Sequence, residues 1–463
     1  TCGLGNRCSC ETLHQSAVIT PKANTRTTGQ GPVFDPYLTV GCKTVNPYQS
    51  RHNPGCTQAK PYGGNTDGVA NSANSLIASR GIRAFVDGLV SVILPAYLIE
   101  QGYSAFQVGA LVTATLLGSA ILTLTIGLRG FRQTPTRLLL WLTGLMALTG
   151  IGFATITWFW ALFIIGAIGT MNPSSGDVSP FLPLEQALLP LTTTDERRTV
   201  IFARYAMVAS LLGALGSLAA GLPHLIAQAL DVSEHTVNRY VFALYALGGL
   251  MLFVNYRRLQ LPVLPTPPRT PLASSRRHVT RLSILFSIDA LGGGFVIQSM
   301  LVLWLGRRFD LSTARIGTLL FITGTLSAFS ILLAPRVAQK LGLVRTMVFT
   351  HIPASVFLIT AAFMPNVTLA IAFLILRSLV SSMDVPARTS YVMAIVPPSE
   401  RAAAASMTNV PRSLAAALPP LATGVMLDHS TFGWPLIIAG LLKITYDVLL
   451  LVQFRSVIPP EER

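Results

Sequence analysis

Five charged side chains lie inside long apolar stretches of this sequence, where a charge requires a specific reason. Asp87, Asp289 and Arg377 each lie in a separate stretch, and Lys443 and Asp447 share another. A charge at the centre of a membrane helix costs roughly 2.5–3.5 kcal/mol on insertion scales. In that setting a carboxyl group can bind and release a proton, and an arginine can hold a carboxylate or a phosphate. These residue types indicate binding and release of protons or anions.

Asp87 and Asp289 are the candidates for coupling to protons. The alternative is that a nearby arginine holds either carboxylate in a structural ion pair. Arg377, deep in its apolar stretch, is a candidate contact for a carboxylate or phosphate of a substrate. It could instead neutralise Asp289 or Asp384.

Four residues complete the candidates inside the apolar stretches. Lys443 and Asp447 are four residues apart, so they lie on one helix face, and we expect a self-neutralised pair. Asn172 belongs to an unusually polar stretch, 172–177, and is a candidate for lining a water-filled or substrate cavity. Arg412 is the other cavity candidate.

The apolar stretches that position these residues account for most of the chain. The sequence is 51% hydrophobic and only 11% charged, with a mean hydropathy of +0.56. Soluble domains carry about 25% charged residues, and about 20 apolar residues suffice to cross a bilayer as a helix. We therefore predict an all-α integral membrane protein. The twelve predicted helices are 81–100, 105–127, 137–156, 158–189, 199–228, 239–256, 281–305, 312–334, 344–364, 366–396, 402–427 and 433–455.

Basic residues concentrate in alternate loops between these helices. The longest gap, 257–280, is rich in proline and arginine and is predicted to be a linker. The positive-inside rule then places this linker and both ends of the helical body in the cytoplasm. The formal net charge of +15 follows largely from that sorting, so it does not indicate nucleic-acid binding.

Residues 1–79 differ in composition from the rest of the chain. They are rich in Thr, Asn, Gly and Pro and show no helical or strand periodicity. We expect a disordered N-terminal extension, possibly not native to the protein. All five cysteines lie in it, with a spacing that matches no standard zinc module, so no metal site is predicted. The cysteines are Cys2, Cys8, Cys10, Cys42 and Cys56.

The two halves of the helical body repeat one another. We predict an N-terminal six-helix bundle at 80–256 and a C-terminal one at 281–463. Repeated halves are typical of transporters, which handle substrate near the midplane between them. The matching pairs are Asp87 with Asp289, Ser104–Gly109 with Ser312–Gly317, Arg137 with Arg345, Asp177 with Asp384, and Glu196-Arg197 with Glu400-Arg401.

Twelve helices in matched halves around a basic linker resemble the major facilitator superfamily. The resemblance covers about residues 80–463. The loop at 127–137 carries the basic residues of the family's loop signature but lacks its acidic member, and 334–345 keeps the spacing better. Asp87 followed by Leu94 and Pro95 loosely resembles the first helix of drug–proton antiporters.

The resemblance implies a secondary active transporter that works by alternating access. We expect proton-coupled efflux of small amphipathic or drug-like compounds. One alternative is uptake or exchange of a small organic anion or metabolite, and another is a non-transporting membrane sensor or assembly protein. The expected partners are a small-molecule substrate, protons and the lipid bilayer, with no nucleic acid and no cofactor. We predict a non-enzymatic protein, because no nucleotide-binding loop or catalytic set is recognisable. We also predict a monomer in a bacterial inner (plasma) membrane.

A second set of charged residues lies near the predicted cytoplasmic helix ends. In the resembled family such clusters hold the two halves together when the inner gate is closed, so we predict a gating network. Ordinary solvation at the membrane surface is the alternative. The predicted members are Arg129, Arg137, Asp177, Glu185, Glu196, Arg197, Arg336, Arg345, Asp384, Arg388, Glu400 and Arg401.

Overall fold

Every regular element that the computed structural model describes is a helix. The described residues are 66–129, 134–174, 179–193, 198–259, 275–397, 400–454 and 457. Residues 63–463 form one compact unit. The predicted all-helical class is confirmed.

The N-terminal half contains eight helices between residues 66 and 257. A short 3-10 segment, Leu189–Thr192, follows the fifth. The helices are α1 Thr66–Glu100, α2 Ala105–Arg129, α3 Pro135–Thr155, α4 Phe159–Ile168, α5 Phe181–Leu188, α6 Arg198–Ala219, α7 Leu222–Leu230 and α8 Glu234–Arg257.

The C-terminal half contains nine helices between residues 276 and 454. Several are two parts of one membrane crossing that breaks near its middle. The helices are α9 Arg276–Phe295, α10 Gln298–Phe309, α11 Thr313–Leu341, α12 Leu343–Phe363, α13 Val367–Val380, α14 Asp384–Ile395, α15 Arg401–Ala417, α16 Pro419–His429 and α17 Trp434–Phe454.

Ten helical segments in the described ranges are long and apolar enough to cross a membrane. The fourth and eleventh predicted helices are not among them. The fourth breaks after α4, where the described residues 169–174 and 179–180 are not helical. The eleventh is divided between α15 and α16, and α15 is rich in small and polar residues. Both segments still occupy their predicted places, so the pattern remains compatible with twelve crossings.

Two predicted boundaries lie inside helices of the structure. Helix α1 begins at Thr66, so residues 66–79 continue the first membrane helix. The side-chain amide of Asn255 in α8 donates to the Ser75 carbonyl at 2.8 Å and to the Ser79 hydroxyl at 2.7 Å. Polar partners inside the protein therefore extend the helix beyond its apolar part. Helix α9 begins at Arg276, within the predicted 257–280 linker. The rest of the predicted N-terminal extension, residues 1–65, lies outside the described residues.

Close packing of α1 against α6 fixes the position of the charged residues on α1. A Cβ atom on Gly88 would lie 2.1 Å from the carbonyl oxygen of Gly213. Such a distance excludes any side chain at Gly88 without separating the helices. Asp87 is therefore held at a tightly packed point of the N-terminal half.

The two halves meet closely at the end of the bundle formed by the loops at 100–105, 230–234, 309–313 and 429–434, which we call the closed end. At its centre, Asp428 of α16 accepts hydrogen bonds from the backbone N–H groups of Ala105 and Phe106, at 2.9 and 2.8 Å. These N–H groups begin α2, where the helix dipole favours a carboxylate. Arg307 also reaches Asp428, at 3.4 Å. The opposite end, where α8 ends and α9 begins, is called the linker end.

Candidate functional site

Asp289 lies at the centre of a buried charge cluster in the C-terminal half. The carboxylate, on α9, accepts a hydrogen bond from Lys443 Nζ of α17 at 2.7 Å. Arg388 of α14 lies 3.2 Å from its other oxygen, and His351 Nε2 of α12 lies 3.7 Å away. Asp289 is only 3% exposed. Four helices thus converge on one carboxylate that is neutralised by two permanent cations.

The cluster extends from His351 and Arg388 to two further carboxylates. His351 Nδ1 lies 3.0 Å from Asp447, which is fully buried on α17. His351 Nε2 lies 3.4 Å from the ammonium of Lys443. These contacts fit a neutral imidazole that donates from Nδ1 to Asp447 and accepts at Nε2 from Lys443. On the other side, Arg388 pairs with Asp384 in the same helix.

A cavity of about 200 Å³ opens beside this cluster. Four cationic side chains line it, two of them being Arg388 and Lys443, and the others Arg377 and Arg412. Arg377, on α13, has no ion pair or side-chain hydrogen bond with any residue that the structure describes, although it is half-buried. Arg377 therefore has no counter-charge among the described residues. A bound anion would supply one.

The N-terminal half contains a separate buried ion pair. Arg83 of α1 donates two hydrogen bonds to Glu185 of α5, at 2.9 and 2.7 Å. The hydroxyls of Tyr205 and Tyr256 also donate to Glu185. The Arg83 guanidinium lies 4.6 Å from the ring centre of Phe181. Glu185 thus accepts from four donors, and Arg83 is neutralised by it although its buried Nε has no hydrogen-bond partner among the described residues, so we interpret the pair as structural.

Asp87 lies one helical turn beyond Arg83 but is not part of that pair. It is 3% exposed, and its Oδ1 atom has no hydrogen-bond partner among the described residues. Tyr245, which adjoins it, donates its hydroxyl to the Thr170 carbonyl at 3.1 Å. Asp87 therefore lacks the set of donors that surrounds Glu185.

Known proteins resemble this chain in the sequence of its C-terminal half and in the fold of its helical body. Residues 282–463 match the family model described as Major Facilitator Superfamily. The whole helical body has the same fold as a bacterial homologue of the human lysosomal transporter Spinster in an inward-facing, unoccupied conformation. That structure superposes with a TM-score of 0.64 over 84% of this chain and 96% of its own, at 15% identity. The C-terminal half of the chain is thus similar in sequence to the major facilitator superfamily, and the helical body has the fold of the compared transporter.

A yeast protein and two further solved structures are also similar to the chain. The uncharacterized membrane protein YJR124C of Saccharomyces cerevisiae is 25% identical over 419 residues, which are 82% of this chain and 94% of that protein. The nucleoside transporter NupG has a TM-score of 0.62 at 13% identity, covering 83% of this chain and all of its own. A bacterial homologue of the iron transporter ferroportin, inward-facing, has a TM-score of 0.61 at 15% identity, covering 83% and 98%.

The comparisons support an integral membrane transporter for a small molecule. One structural neighbour is a nucleoside transporter and another is a homologue of an iron transporter. The likeness therefore shows the fold, and the cargo must be argued from this chain's own site. The curated relative is a yeast protein, and the comparisons give no support to the expected bacterial location in particular.

The structure brings together several predicted site residues of both kinds. Asp289, Arg377 and Arg412 line one cavity together with Asp384 and Arg388, which had been assigned to the gating network. The remaining two candidates lie elsewhere. Asp87 is in the other half, and Asn172 accepts hydrogen bonds at Oδ1 from the backbone and hydroxyl of Ser174, at 3.2 and 2.6 Å.

Members of the predicted gating network pair mostly within their own half. Glu185 holds Arg83, Glu400 accepts from the backbone and hydroxyl of Ser275, and Arg401 donates to the Met393 carbonyl. Three arginines are exposed at the linker end and have no ion pair with a described residue: Arg137, Arg336 and Arg345. The side chains outside the described set are Arg129, Asp177, Glu196 and Arg197. A network between the halves stays a prediction.

Two expected ion pairs have other partners in the structure. The predicted Lys443–Asp447 pair was wrong, because Lys443 turns to Asp289 on α9 and Asp447 turns to His351 on α12. Arg377 neutralises neither Asp289 nor Asp384. Partners on neighbouring helices compete with the i,i+4 partner, and they provide charges that the sequence pattern does not reveal.

Sequence reasoning missed the importance of two side chains. Arg83 lies within the first predicted membrane helix, four residues before Asp87, and its burial cost alone was a signal. His351 is a histidine within an apolar helix, which is more often a packed residue than a ligand. Only the convergence of α9, α12 and α17 reveals that it joins Asp447 to Lys443.

Proposed function

We propose that this transporter carries a small organic anion, which Arg377 binds in the cationic cavity of the C-terminal half. The observation that supports this is the unpaired guanidinium of Arg377 in a cavity whose other charges are paired or opposed. A planar guanidinium holds a carboxylate through two parallel hydrogen bonds. Such a ligand would give Arg377 the counter-charge that no described side chain supplies.

The same cavity argues against general efflux of drug-like compounds. Sites for drug-sized ligands are about 300–1,000 Å³ and lined mainly by apolar groups. This cavity measures about 200 Å³, and ionic side chains dominate its lining. Cationic or neutral compounds would leave the guanidinium of Arg377 without a counter-charge. The geometry thus favours the organic-anion alternative over the drug-efflux expectation.

We further propose that Asp87 carries the coupled proton. An anion that crosses alone is opposed by the membrane potential, at about 2.3 kcal/mol per charge per 100 mV. A proton that crosses with it makes the pair electroneutral and removes that opposition. Asp87 fits this role because it is buried and has an oxygen without a partner, whereas Asp289 is held by Lys443 and Arg388.

The sidedness of the cycle follows from the arginines at the linker end. If that end faces the cytoplasm, as the positive-inside rule predicts, the closed end faces the outside. The structure would then represent the state in which substrate exchanges with the cytoplasm. Contacts of Asp428 with the start of α2 support this proposal, since they join the halves at the closed end.

The test measures the thermal stability of the purified protein in the presence of organic anions and their neutral amides. A ligand that binds the folded state stabilises it in proportion to RT ln(1 + [L]/Kd), about 2.7 kcal/mol at 100-fold excess over Kd. Benzoate and hexanoate are the first probes, paired with benzamide and hexanamide. We expect stabilisation by the anions alone, and its loss in Arg377→Gln.

Arg315→Gln is the matched control, because Arg315 is an exposed arginine on α11 outside the cavity. It should retain the stabilisation by anions. Equal stabilisation by anions and amides, or full retention in Arg377→Gln, would contradict the proposal. Counterflow of labelled benzoate into proteoliposomes then establishes whether bound anions are transported.

A further inference from the structure

A second cavity adjoins the cationic one at Arg377. It measures about 260 Å³ and lies between α10, α11 and α13. Its apolar lining includes Leu301, Leu319, Leu320 and Leu374, all of them buried. Arg377 lines both cavities, so a group bound to its guanidinium has one cavity on each side.

The volume of the second cavity suits an apolar group of moderate size. An apolar cavity of about 150 Å³ in another protein binds benzene. About 260 Å³ therefore accommodates an aromatic ring or a short alkyl chain with space remaining. The first cavity, in contrast, is dominated by charged and hydroxyl side chains. One ligand that satisfies both must be charged at one end and apolar at the other.

We infer that the transported anion is amphiphilic: a monocarboxylate on Arg377, with an aromatic or alkyl group seated in the cavity lined by α10, α11 and α13. The inference rests on the proposed function and specifies its substrate class. A single carboxylate suffices as the counter-charge of the Arg377 guanidinium, which has no ion pair with a described residue. The apolar group would be held by leucines rather than by the charged cluster.

The apolar cavity also contacts both halves of the protein. Ser174, from the break after α4, lines it from the N-terminal half. Gln298, at the start of α10, also lines it, and its amide donates to the hydroxyl of Ser217 on α6 at 2.7 Å. An apolar group seated here touches surfaces that separate when the halves move, so its binding depends on the conformation of the transporter.

The experiment compares carboxylates of increasing length on the purified full chain. Dissociation constants for acetate, butanoate, hexanoate and benzoate are obtained from the concentration dependence of thermal stabilisation, beside the matching amides. Each buried methylene should raise affinity about fourfold, from the burial of about 0.8 kcal/mol per CH₂. We expect the acetate-to-butanoate ratio of dissociation constants to be about fifteen, and a smaller gain per methylene once the cavity is full.

Thr323→Phe tests the location of the apolar group. Thr323 lines the second cavity from α11 and does not line the first. Its replacement should fill the space and bring the acetate-to-butanoate ratio close to one. Thr318→Phe is the control, since Thr318 is exposed one turn earlier in the same helix. It should retain the wild-type ratio.

The outcomes separate this inference from the proposed function. If carboxylates stabilise the protein and amides do not, but affinity does not rise with chain length, the amphiphilic inference is wrong and anion binding stands. If carboxylates and amides behave alike, the proposed function fails as well. Equal ratios in Thr323→Phe and Thr318→Phe, with both variants folded by their unfolding temperatures, would overturn the assigned cavity.

Discussion

Asp87 and Asp289 occupy matching positions in the two halves, yet their surroundings are opposite. Asp289 is surrounded by Lys443, Arg388 and His351, each from a different helix. Asp87 has an oxygen without a partner, although Arg83 lies one turn away on the same helix. Two carboxylates that the sequence treats as equivalent therefore have different chemistry.

The difference arises from which partner each arginine finds. In the N-terminal half, Glu185 holds Arg83 with both oxygens, and two tyrosine hydroxyls complete its coordination. In the C-terminal half, Arg388 divides its guanidinium between Asp384 and Asp289. A repeated sequence thus preserves the positions of charges on helices but not the pairs that they form. In the proposed function the roles divide accordingly, with the proton at Asp87 and the anion beside the Asp289 cluster.

The largest expected effect comes from breaking the Arg83–Glu185 pair. Glu185→Gln leaves a guanidinium buried without its counter-charge, which costs roughly 3–5 kcal/mol. The free energy of unfolding, measured in detergent, should fall by about that amount. Arg83→Met combined with Glu185→Met should recover much of the loss, because no unpaired charge remains.

The control for this stability effect is an exposed pair in the same half. His224 and Glu234 lie 2.9 Å apart, with side chains 51% and 34% exposed. Glu234→Gln should cost about 1 kcal/mol or less, since solvent screens such pairs. Equal losses at Glu185 and Glu234 would show that the buried pair is not a structural support of the N-terminal half.

The second effect separates the two aspartates by function. In proteoliposomes with a pH gradient, one coupled proton supports about tenfold accumulation of anion per pH unit, equivalent to about 1.4 kcal/mol. Asp87→Asn should abolish that accumulation while counterflow of labelled benzoate continues. Asp289→Asn should retain the dependence on the gradient. The reverse result would show that the matched positions exchange roles, and loss in both would restore their equivalence.

Sequence reasoning reached the fold because its signals are collective. Long apolar stretches, the arginine-rich loops and the matched halves each involve many residues, so single errors such as the start of α1 did little harm. The site depends on single contacts between distant helices. Arg377, Asp289 and Arg412 were identified by their burial cost, but the partnership of His351 with Lys443 requires knowing how α12 and α17 pack. The number of residues between two helices does not show whether they pack against each other.

The smallest expected effect concerns the closed end, where Asp428 adds hydrogen bonds to the packing of α2 against α16. A charged side chain at a helix N-terminus contributes about 0.3–1 kcal/mol when exposed, and up to about 2 kcal/mol when partly buried. Asp428→Asn should therefore shift the population toward opening of this end by roughly twofold to thirtyfold. Spin labels at Gly102 and Thr431, after replacement of the native cysteines, report the opening as a longer distance. Arg307→Gln should have a weaker effect, because its contact with Asp428 is longer than those of the α2 backbone. If Arg307→Gln opens this end as much as Asp428→Asn does, the contacts of Asp428 with the start of α2 do not hold the halves together there.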